Sequence, residues 1–189
     1  MTAPRLSVVV ITLDEEAKLR RCLESVAWGD EVVVVDAESK DKTVQIAREF
    51  TDRVIARPWP GFAAQKNFAL EQATGDWVLS LDADEEASPE LRAEIAATVT
   101  DPRACDGYAL RRRNVFFGRW IRHGGLYPDW QLRLFRRASP GFGGRPQGLR
   151  RRHLTRVRWR LAALAPGANR ATSLPTLRSK VRWRPAARH

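Results

Sequence analysis

A short apolar run that stops abruptly at a group of acids sets the strongest limit on how this chain can fold. Residues 77–81 read Trp-Val-Leu-Ser-Leu and are followed by Asp-Ala-Asp-Glu-Glu over residues 82–86. Such a run predicts a buried strand. In an open α/β sheet, ligands bind beyond the carboxyl ends of the strands, so the acids predict the position of a functional site.

Asp82 and Asp84 are candidate ligands of a divalent cation. Strand alternation would send both carboxylates to the same side, where one cation could relieve their repulsion. Mg²⁺ or Mn²⁺ suits such oxygen ligands and commonly also binds substrate phosphates. The alternative is a solvated acidic turn before a helix, because acidic residues favour helix N-termini. An Asp-x-Asp motif alone does not decide between the two.

The chain before this motif alternates between apolar runs and helical patterns. Strands are predicted at residues 6–12, 31–36 and 53–56. Helices are predicted to open with the acids of residues 14–16 and to span residues 44–50, 62–74 and 89–99. Successive strand–helix–strand units imply parallel strands with right-handed crossovers. The sequence therefore predicts a nucleotide-binding α/β half-domain.

The basic character of the chain belongs to its C-terminal part. The 189 residues include 33 Lys and Arg and 22 Asp and Glu, and the last acid is Asp129. All 22 acids and 17 of the basic residues lie within residues 1–129, and 16 basic residues follow. The net charge of +11 thus says little about the folded body, and we do not expect nucleic acid as its partner.

The remaining compositional signals favour one domain in a reducing, cytoplasmic setting. Cys22 and Cys105 show neither metal-ligand spacing nor a disulfide framework, and Cys22 falls on the apolar side of the first predicted helix. No signal peptide is visible, and no apolar stretch approaches the ~20 residues of a membrane-spanning helix.

The pattern changes after residue 107. Strands are predicted at residues 108–117 and 131–136, joined by a Trp-, Arg- and Gly-rich connection that could cover an acceptor site. From residue 145 to residue 189 there are 13 basic residues, no acids and no sustained periodicity. We therefore divide the chain into a domain at residues 1–144 and a basic tail at residues 145–189. The tail is disordered, or the product of a shifted reading frame, or a natural basic extension.

Five strings in the expected order resemble glycosyltransferase family 2, in particular the branch that adds sugars to the lipopolysaccharide core. They are Val-Val-Val-Ile-Thr with Asp-Glu-Glu (8–16), Val-Val-Asp-Ala-Glu-Ser-Lys-Asp-Lys-Thr (34–43), Gly-Phe-Ala-Ala-Gln-Lys-Asn-Phe-Ala (61–69), Gly-Asp-Trp-Val-Leu-Ser-Leu-Asp-Ala-Asp-Glu (75–85) and His-Gly-Gly-Leu-Tyr-Pro-Asp-Trp-Gln-Leu-Arg-Leu-Phe-Arg-Arg (123–137). Together they make a specific signal over roughly residues 5–144.

The resemblance implies a GT-A fold, which is a Rossmann-like nucleotide-sugar-binding domain with a mostly parallel sheet flanked by helices. It implies metal-dependent, inverting transfer of a sugar from a nucleoside diphosphate sugar to a lipopolysaccharide-core or similar lipid-linked glycan. It also implies a position on the cytoplasmic face of the inner membrane. Residues 111–122, with Phe116, Phe117 and Trp120, are the candidate contact surface, or else a domain edge facing acceptor or partner.

The resemblance also assigns roles to individual residues. Asp82 and Asp84 match the metal and donor site. The candidate nucleotide-sugar contacts are Thr12, Glu15, Asp36, Asp41, Lys66, Asp82, Arg133 and Arg136, and Gln131 could assist. Asp41 is equally a candidate helix cap, Lys66 an exposed helix lysine, and the two arginines outward residues of a strand.

Asp129 is the candidate catalytic base. Inverting transfer needs one carboxylate to accept the proton of the acceptor, and Tyr127-Pro128-Asp129-Trp130 resembles the base-bearing segment of the family. Pro128 and the flanking aromatic residues would fix and partly desolvate the carboxylate. The alternative is an ordinary turn aspartate.

Three other functions remain open at this point: a truncated, inactive transferase, a nucleotidyltransferase and a basic nucleic-acid-binding protein. A nucleotidyltransferase usually has a Gly-rich, basic loop after its first strand, whereas residues 12–16 are acidic.

Overall fold

The computed structural model describes residues 3–117, 119–123, 127–138 and 153–159. Its helices are α1 (Leu19–Val26), α2 (Thr43–Ala47), α3 (Phe62–Glu71) and α4 (Pro89–Thr100). Its strands are β1 (Leu6–Thr12), β2 (Glu31–Asp36), β3 (Val54–Ala56), β4 (Trp77–Asp82), β5 (Glu85–Ala87), β6 (Gly107–Arg113), β7 (Val115–Phe116), β8 (Arg119–Trp120), β9 (Asp129–Arg136) and β10 (His153–Trp159).

Eight strands form one sheet in the order β3-β2-β1-β4-β9-β6-β10-β5. The pairs β3–β2, β2–β1, β1–β4 and β6–β10 are parallel, and the pairs β4–β9, β9–β6 and β10–β5 are antiparallel. The predicted α/β architecture with a mostly parallel sheet is confirmed. No described helix has both the length and the apolar character needed to cross a membrane.

Side chains of β1 alternate between the two faces of the sheet, and the hydrophobic core therefore has a part on each face. Val8 and Val10 pack with α1, where Leu19, Cys22, Leu23 and Val26 are buried at helical spacing. Val9 and Ile11 pack on the other face with Ala69 of α3. Because both faces of the sheet are covered, its central strands are mostly apolar.

The acids of residues 14–16 do not open α1, as the sequence predicted, because the helix begins at Leu19. Asp14 has a φ of 51°, which lies in the left-handed region, so the backbone leaves β1 in a turn. The backbone N–H groups of Asp14, Glu15 and Glu16 donate hydrogen bonds to side chains of the segment that follows β2. The helix predicted at residues 44–50 is likewise shorter and ends at Ala47.

The strand predicted at residues 108–117 is divided in two. β6 ends at Arg113, and β7 pairs with β8 in a separate two-stranded sheet. β9 begins at Asp129, two residues before the predicted start.

Seven residues of the predicted basic tail form the strand β10, and disorder of the rest of the tail stays a prediction. β10 lies between β6, to which it is parallel, and β5, to which it is antiparallel. Its Arg-rich sequence shows no clear alternation of apolar and polar residues, so the sequence did not predict this strand. Backbone pairing with the neighbouring strands defines its place in the sheet. Residues 139–152 and 160–189 lie outside the described residues, and the domain boundary at residue 144 stays a prediction.

Candidate functional site

Three of the predicted site residues meet at one edge of the sheet. Thr12, Asp36 and Asp82 end the strands β1, β2 and β4. In the parallel register, Thr12 pairs with Asp36, and Ile11 pairs with Asp82. The buried hydroxyl of Thr12 has no hydrogen-bond partner among the described residues. A ligand at this edge would supply one.

Two loops at the same edge are joined by hydrogen bonds. The N–H groups of Asp14 and Glu15 donate to Ser39 Oγ and Thr43 Oγ1, both over 2.8 Å. Lys40 N–H donates in return to Asp14 Oδ1 over 2.7 Å. These contacts order the loop that follows β1, and with it Glu15, against the loop that follows β2.

Asp36 and Asp41 help to hold the second of these loops. Asp36 is buried and accepts hydrogen bonds from Ser39 N–H (2.8 Å) and Ser39 Oγ (2.5 Å). Asp41 accepts from Thr43 N–H (2.9 Å) and Glu16 N–H (3.0 Å). Burial alone would raise the pKa of Asp41, but hydrogen bonds from Thr43 and Glu16 lower it. A role of Asp41 at the start of α2 is therefore observed, and its nucleotide contact stays a prediction.

Beyond β4, side chains of alternating charge run across the sheet edge in a line that we call the charge chain. Its members, in spatial order, are Lys66, Asp82, Arg133, Glu85, Arg112 and Asp129. Two of them come from β9, and the others come from α3, β4, β5 and β6. The predicted residues Lys66, Asp82, Arg133 and Asp129 are thus brought together.

Each carboxylate oxygen of Asp82 is bound by one positively charged side chain. Lys66 Nζ lies 2.8 Å from Asp82 Oδ1, and Arg133 Nη2 donates to Asp82 Oδ2 over 2.7 Å. Burial alone would raise the pKa of Asp82, but Arg133 and Lys66 hold it well below its ordinary value. Burial, together with Arg133, lowers the pKa of Lys66, although Asp82 opposes that shift.

A β-bulge aims Arg133 at this cluster. Tyr108 pairs with Leu134 and Ala109 pairs with Leu132, so Arg133 between them has no partner on β6. A bulge re-aims the side chain of the extra residue. Arg133 is 2% exposed and also donates to Glu85 Oε1. Its Nε–H is also buried and has no hydrogen-bond partner among the described residues.

Asp84 is the best candidate metal ligand at this edge. Burial raises its pKa to about 6; Glu15 and Asp82 also raise it, and Lys18 opposes them. A bound cation would relieve this repulsion. The described residues contain no group of three or more His, Cys, Asp or Glu side chains that could hold a metal. Mg²⁺ needs only one or two protein carboxylates when phosphates complete its shell, so the residues present fit such an ion.

Asp129 lies at the other end of the charge chain, at the start of β9. Its Oδ2 accepts from Arg112 Nε over 2.7 Å and lies 2.5 Å from Arg112 Nη2. Its Oδ1 accepts from Gln131 Nε2 over 2.8 Å. The side chain keeps 22% of its surface exposed, so a substrate hydroxyl can reach it. The ion pair with Arg112 was not predicted from the sequence, and desolvation of Asp129 by its aromatic neighbours stays a prediction.

Arg136 is not part of the cluster, which corrects the sequence prediction. It pairs with Trp77, the first residue of β4, while Asp82 is the last. Because β9 runs antiparallel to β4, residues later in β9 move away from the carboxyl end of β4. Arg136 lies over the ring of Trp77, 4.7 Å from its centroid, and 3.6 Å from Asp106.

The sequence analysis missed Glu85 and Arg112 as members of the site. Arg112 lies in a run of three arginines, and strand alternation separates it from its neighbours. Arg111 lies over the ring of Trp130 and Arg113 over the ring of Trp120. Because successive side chains of a strand point to opposite faces, the sequence could have indicated that Arg112 lies on the opposite face from its two arginine neighbours.

Comparison with known proteins points to one family. The sequence model of the family described as Glycosyl transferase family 2 matches residues 7–157, which include the start of β10. The lipopolysaccharide core biosynthesis glycosyltransferase LpsC of Rhizobium meliloti is 34% identical over 139 residues, which are 71% of this chain and 52% of LpsC. The chain spans about a third of the length of the first curated relatives it matches and about half of LpsC.

Two solved structures with bound donor sugars are also similar. Staphylococcus aureus TarS 1–349 in complex with UDP-GlcNAc is 30% identical with a TM-score of 0.51, over 62% of this chain and 36% of TarS. The mannosyltransferase PcManGT of Pyrobaculum calidifontis, in complex with GDP-Man and Mn²⁺, is 27% identical with a TM-score of 0.50, over 59% of this chain and 36% of the other.

Proposed function

The chain belongs to glycosyltransferase family 2, and on that premise we propose that it moves a sugar from a nucleoside diphosphate sugar to a glycan, with a divalent cation and with inversion at the anomeric carbon. The observation that carries the proposal is the charge chain, which joins the candidate donor residue Asp82 to the candidate base Asp129. A sugar transfer must bring the donor site and the base close together.

The donor would lie across the carboxyl ends of β1, β2 and β4. The Thr12 hydroxyl has no hydrogen-bond partner there within the described part of the chain, Asp36 ends β2, and Glu15 lies in the loop after β1. Lys66 and Arg133 would offset the charge of the diphosphate. TarS with UDP-GlcNAc and PcManGT with GDP-Man support a nucleotide-sugar donor, and the donor screen below is designed to identify the nucleotide.

Asp84 would hold Mg²⁺ or Mn²⁺, with Asp82 beside it. Such an ion, when bound, stabilises the negative charge that develops on the leaving diphosphate. Asp82 is already paired with Lys66 and Arg133, so Asp84 is the carboxylate that gains most from a cation. The PcManGT complex with Mn²⁺ supports this assignment.

Asp129 would act as the general base. Its carboxylate accepts the proton of the acceptor hydroxyl as the hydroxyl oxygen attacks the anomeric carbon and the bond to the diphosphate breaks. A base on the face of the sugar opposite the leaving group gives inversion. The partial exposure of Asp129 leaves room for the acceptor.

The acceptor we propose is a lipopolysaccharide-core or similar lipid-linked glycan, met at the cytoplasmic face of the inner membrane. Similarity to LpsC supports the class of acceptor. A surface of arginines stacked on aromatic rings supports contact with an anionic membrane. In it, Arg113 and Arg122 lie 4.7 and 4.3 Å from the ring centroid of Trp120, and Phe117 is 84% exposed.

A donor screen tests the proposed function. Thermal unfolding would be followed with Mn²⁺ and each of several UDP-, GDP-, CMP- and ADP-sugars. A donor present at about 100 times its Kd adds about 2.7 kcal/mol to the free energy of unfolding, which is a shift of about 5–10 °C for a domain of this size. At least one sugar nucleotide is expected to give such a shift with Mn²⁺. No shift with any of them would contradict the proposal.

A further inference from the structure

One member of the charge chain has no part in the proposed chemistry. Glu85 has no exposed surface, so it cannot touch a substrate. Its Oε2 accepts from the backbone N–H of Asp82 over 2.9 Å, and its Oε1 accepts from Arg133 Nη2. Arg112 Nη1 lies 4.0 Å from the same Oε1. Glu85 therefore stands between the donor side and the base side of the site.

Stability does not explain a carboxylate in this position. Glu85 is fully buried, and removing a carboxylate from water costs free energy of folding. A buried ion pair is often no more stable than apolar residues of the same volume. A fixed carboxylate flanked by two guanidinium groups does, however, set the places of both groups, since each is a rigid, planar donor.

Arg112 carries this restraint to Asp129. Two of its nitrogens, Nε and Nη2, lie 2.7 and 2.5 Å from Asp129 Oδ2, and Gln131 holds Oδ1. Both oxygens of the candidate base are therefore fixed in direction. Arg112 is 23% exposed, and its third nitrogen makes an electrostatic contact with buried Glu85 that is too long for a hydrogen bond.

We propose that Glu85 and Arg112 are positioning residues, and that they fix the distance between the donor site and the base. Glu85 anchors Arg133 on the side of Asp82 and Arg112 on the side of Asp129. This inference rests on the proposed function, because it assumes that Asp129 is the base. The alternative is that the two residues serve folding alone.

Arg112→Gln and Arg112→Lys test the base side of the proposal. A displacement of a catalytic group by about 1 Å can cost ~10²-fold in rate. We expect Arg112→Gln to lower kcat by about that factor, with the Kd of the donor changed less than about twofold. Arg112→Lys, which keeps the charge but not the planar fork, should recover about a tenth of the wild-type rate. Arg103→Gln, at an arginine whose side chain is 88% exposed, is the matched control. Equal losses of donor affinity and of kcat in Arg112→Gln would overturn the proposal.

Glu85→Gln tests the link between the two sides. The variant should weaken donor binding and lower kcat, because it loosens both guanidinium groups. In the double variant with Arg112→Gln, the loss of kcat should be smaller than the product of the two single losses. Strictly multiplicative losses would show that Glu85 does not act through Arg112.

A structural measurement separates a failure of this inference from a failure of the proposed function, and it serves even if Glu85→Gln does not fold. Crystal structures of the wild type and of Arg112→Gln would be compared at Asp129. A single carboxylate rotamer in the wild type and a displaced or divided one in Arg112→Gln are expected, whether or not transfer is detected. An unchanged Asp129 carboxylate in Arg112→Gln would overturn the positioning role. Absence of transfer by the wild type, with Asp129 displaced in the variant, would count against the proposed function instead.

Discussion

Arg133 donates a hydrogen bond to Asp82 over 2.7 Å from a bulged position on the neighbouring strand. The bulge is what turns an arginine of β9 into a buried partner of the last residue of β4. Asp82 thus has its charge balanced before any donor arrives. The proposed diphosphate would meet a cluster of cations that is already ordered, which lowers the cost of assembling the site.

Asp129→Asn is predicted to remove most of the transfer activity while leaving donor binding near normal. The amide cannot accept the proton of the acceptor, and general-base catalysis typically contributes ~10²–10⁴-fold. Steady-state kinetics with the donor found in the screen measures the first effect, and calorimetric titration measures the second. Asp52→Asn, at an exposed residue just before β3, is the control. If Asp129→Asn kept half of the wild-type rate, Asp129 would not be the general base.

Asp84→Asn is predicted to make the metal-free protein more stable at pH 8 but not at pH 4. Burial raises the pKa of Asp84 to about 6, so the ionised carboxylate destabilises the folded state once the pH exceeds the ordinary aspartate value. The penalty grows between about pH 4 and pH 6, reaches its full size above pH 6 and is absent below both pKa values. Thermal unfolding of both proteins in EDTA across this range measures the difference in Tm. A constant difference would show that Asp84 is not buried as described.

Removal of residues 145–189 is predicted to lower the Tm of the chain. β10 pairs with β6 on one side and β5 on the other, so its loss would leave backbone groups of both strands unpaired. The family match that continues to residue 157 agrees with a strand that belongs to the domain. An unchanged Tm would favour the boundary at residue 144, and resequencing of the coding DNA would test the shifted reading frame directly.

Replacement of Arg113 and Arg122 by Gln is predicted to weaken binding to anionic vesicles at low salt. Each basic residue near a charged membrane contributes about 1 kcal/mol, so the double variant should bind roughly 30-fold more weakly. Sedimentation with vesicles that contain anionic lipid measures the effect, and vesicles of neutral lipid serve as the reference. A wild-type chain that did not bind anionic vesicles at all would contradict the proposed membrane contact.

The sequence predicted the parallel half of the sheet well, because each central strand is mostly apolar and ends at a polar residue. It also placed Asp82 at the end of a strand, whereas Asp129 begins β9 two residues before the predicted start of that strand. It missed the part of the site that depends on side chains meeting across strands. Arg133 joins Asp82 through a bulge, and Arg112 joins Asp129 through the pairing of β6 with β9. Neither contact has a local signal, because register is set by the whole sheet.

At the start of α1, the sequence predicted a local structure that the folded chain does not form. Asp14, Glu15 and Glu16 have the composition of a first helical turn, and propensity alone favours a helix there. Their backbone N–H groups donate hydrogen bonds to side-chain oxygens of Ser39, Thr43 and Asp41, which follow β2, and these contacts hold the segment in a turn. Tertiary contacts therefore decided the outcome over local preference.

The central claim is that Asp84 holds the cation that the donor requires. Calorimetric titration of the wild type and of Asp84→Asn with the screened sugar nucleotide, with and without Mn²⁺, tests it most directly, and Asp52→Asn is again the control. The wild type and Asp52→Asn should bind the donor at least about tenfold more tightly with Mn²⁺ than without it. Asp84→Asn should lose that difference, because its amide cannot neutralise the ion. Equal Mn²⁺-dependent affinity in Asp84→Asn and the wild type would contradict the account.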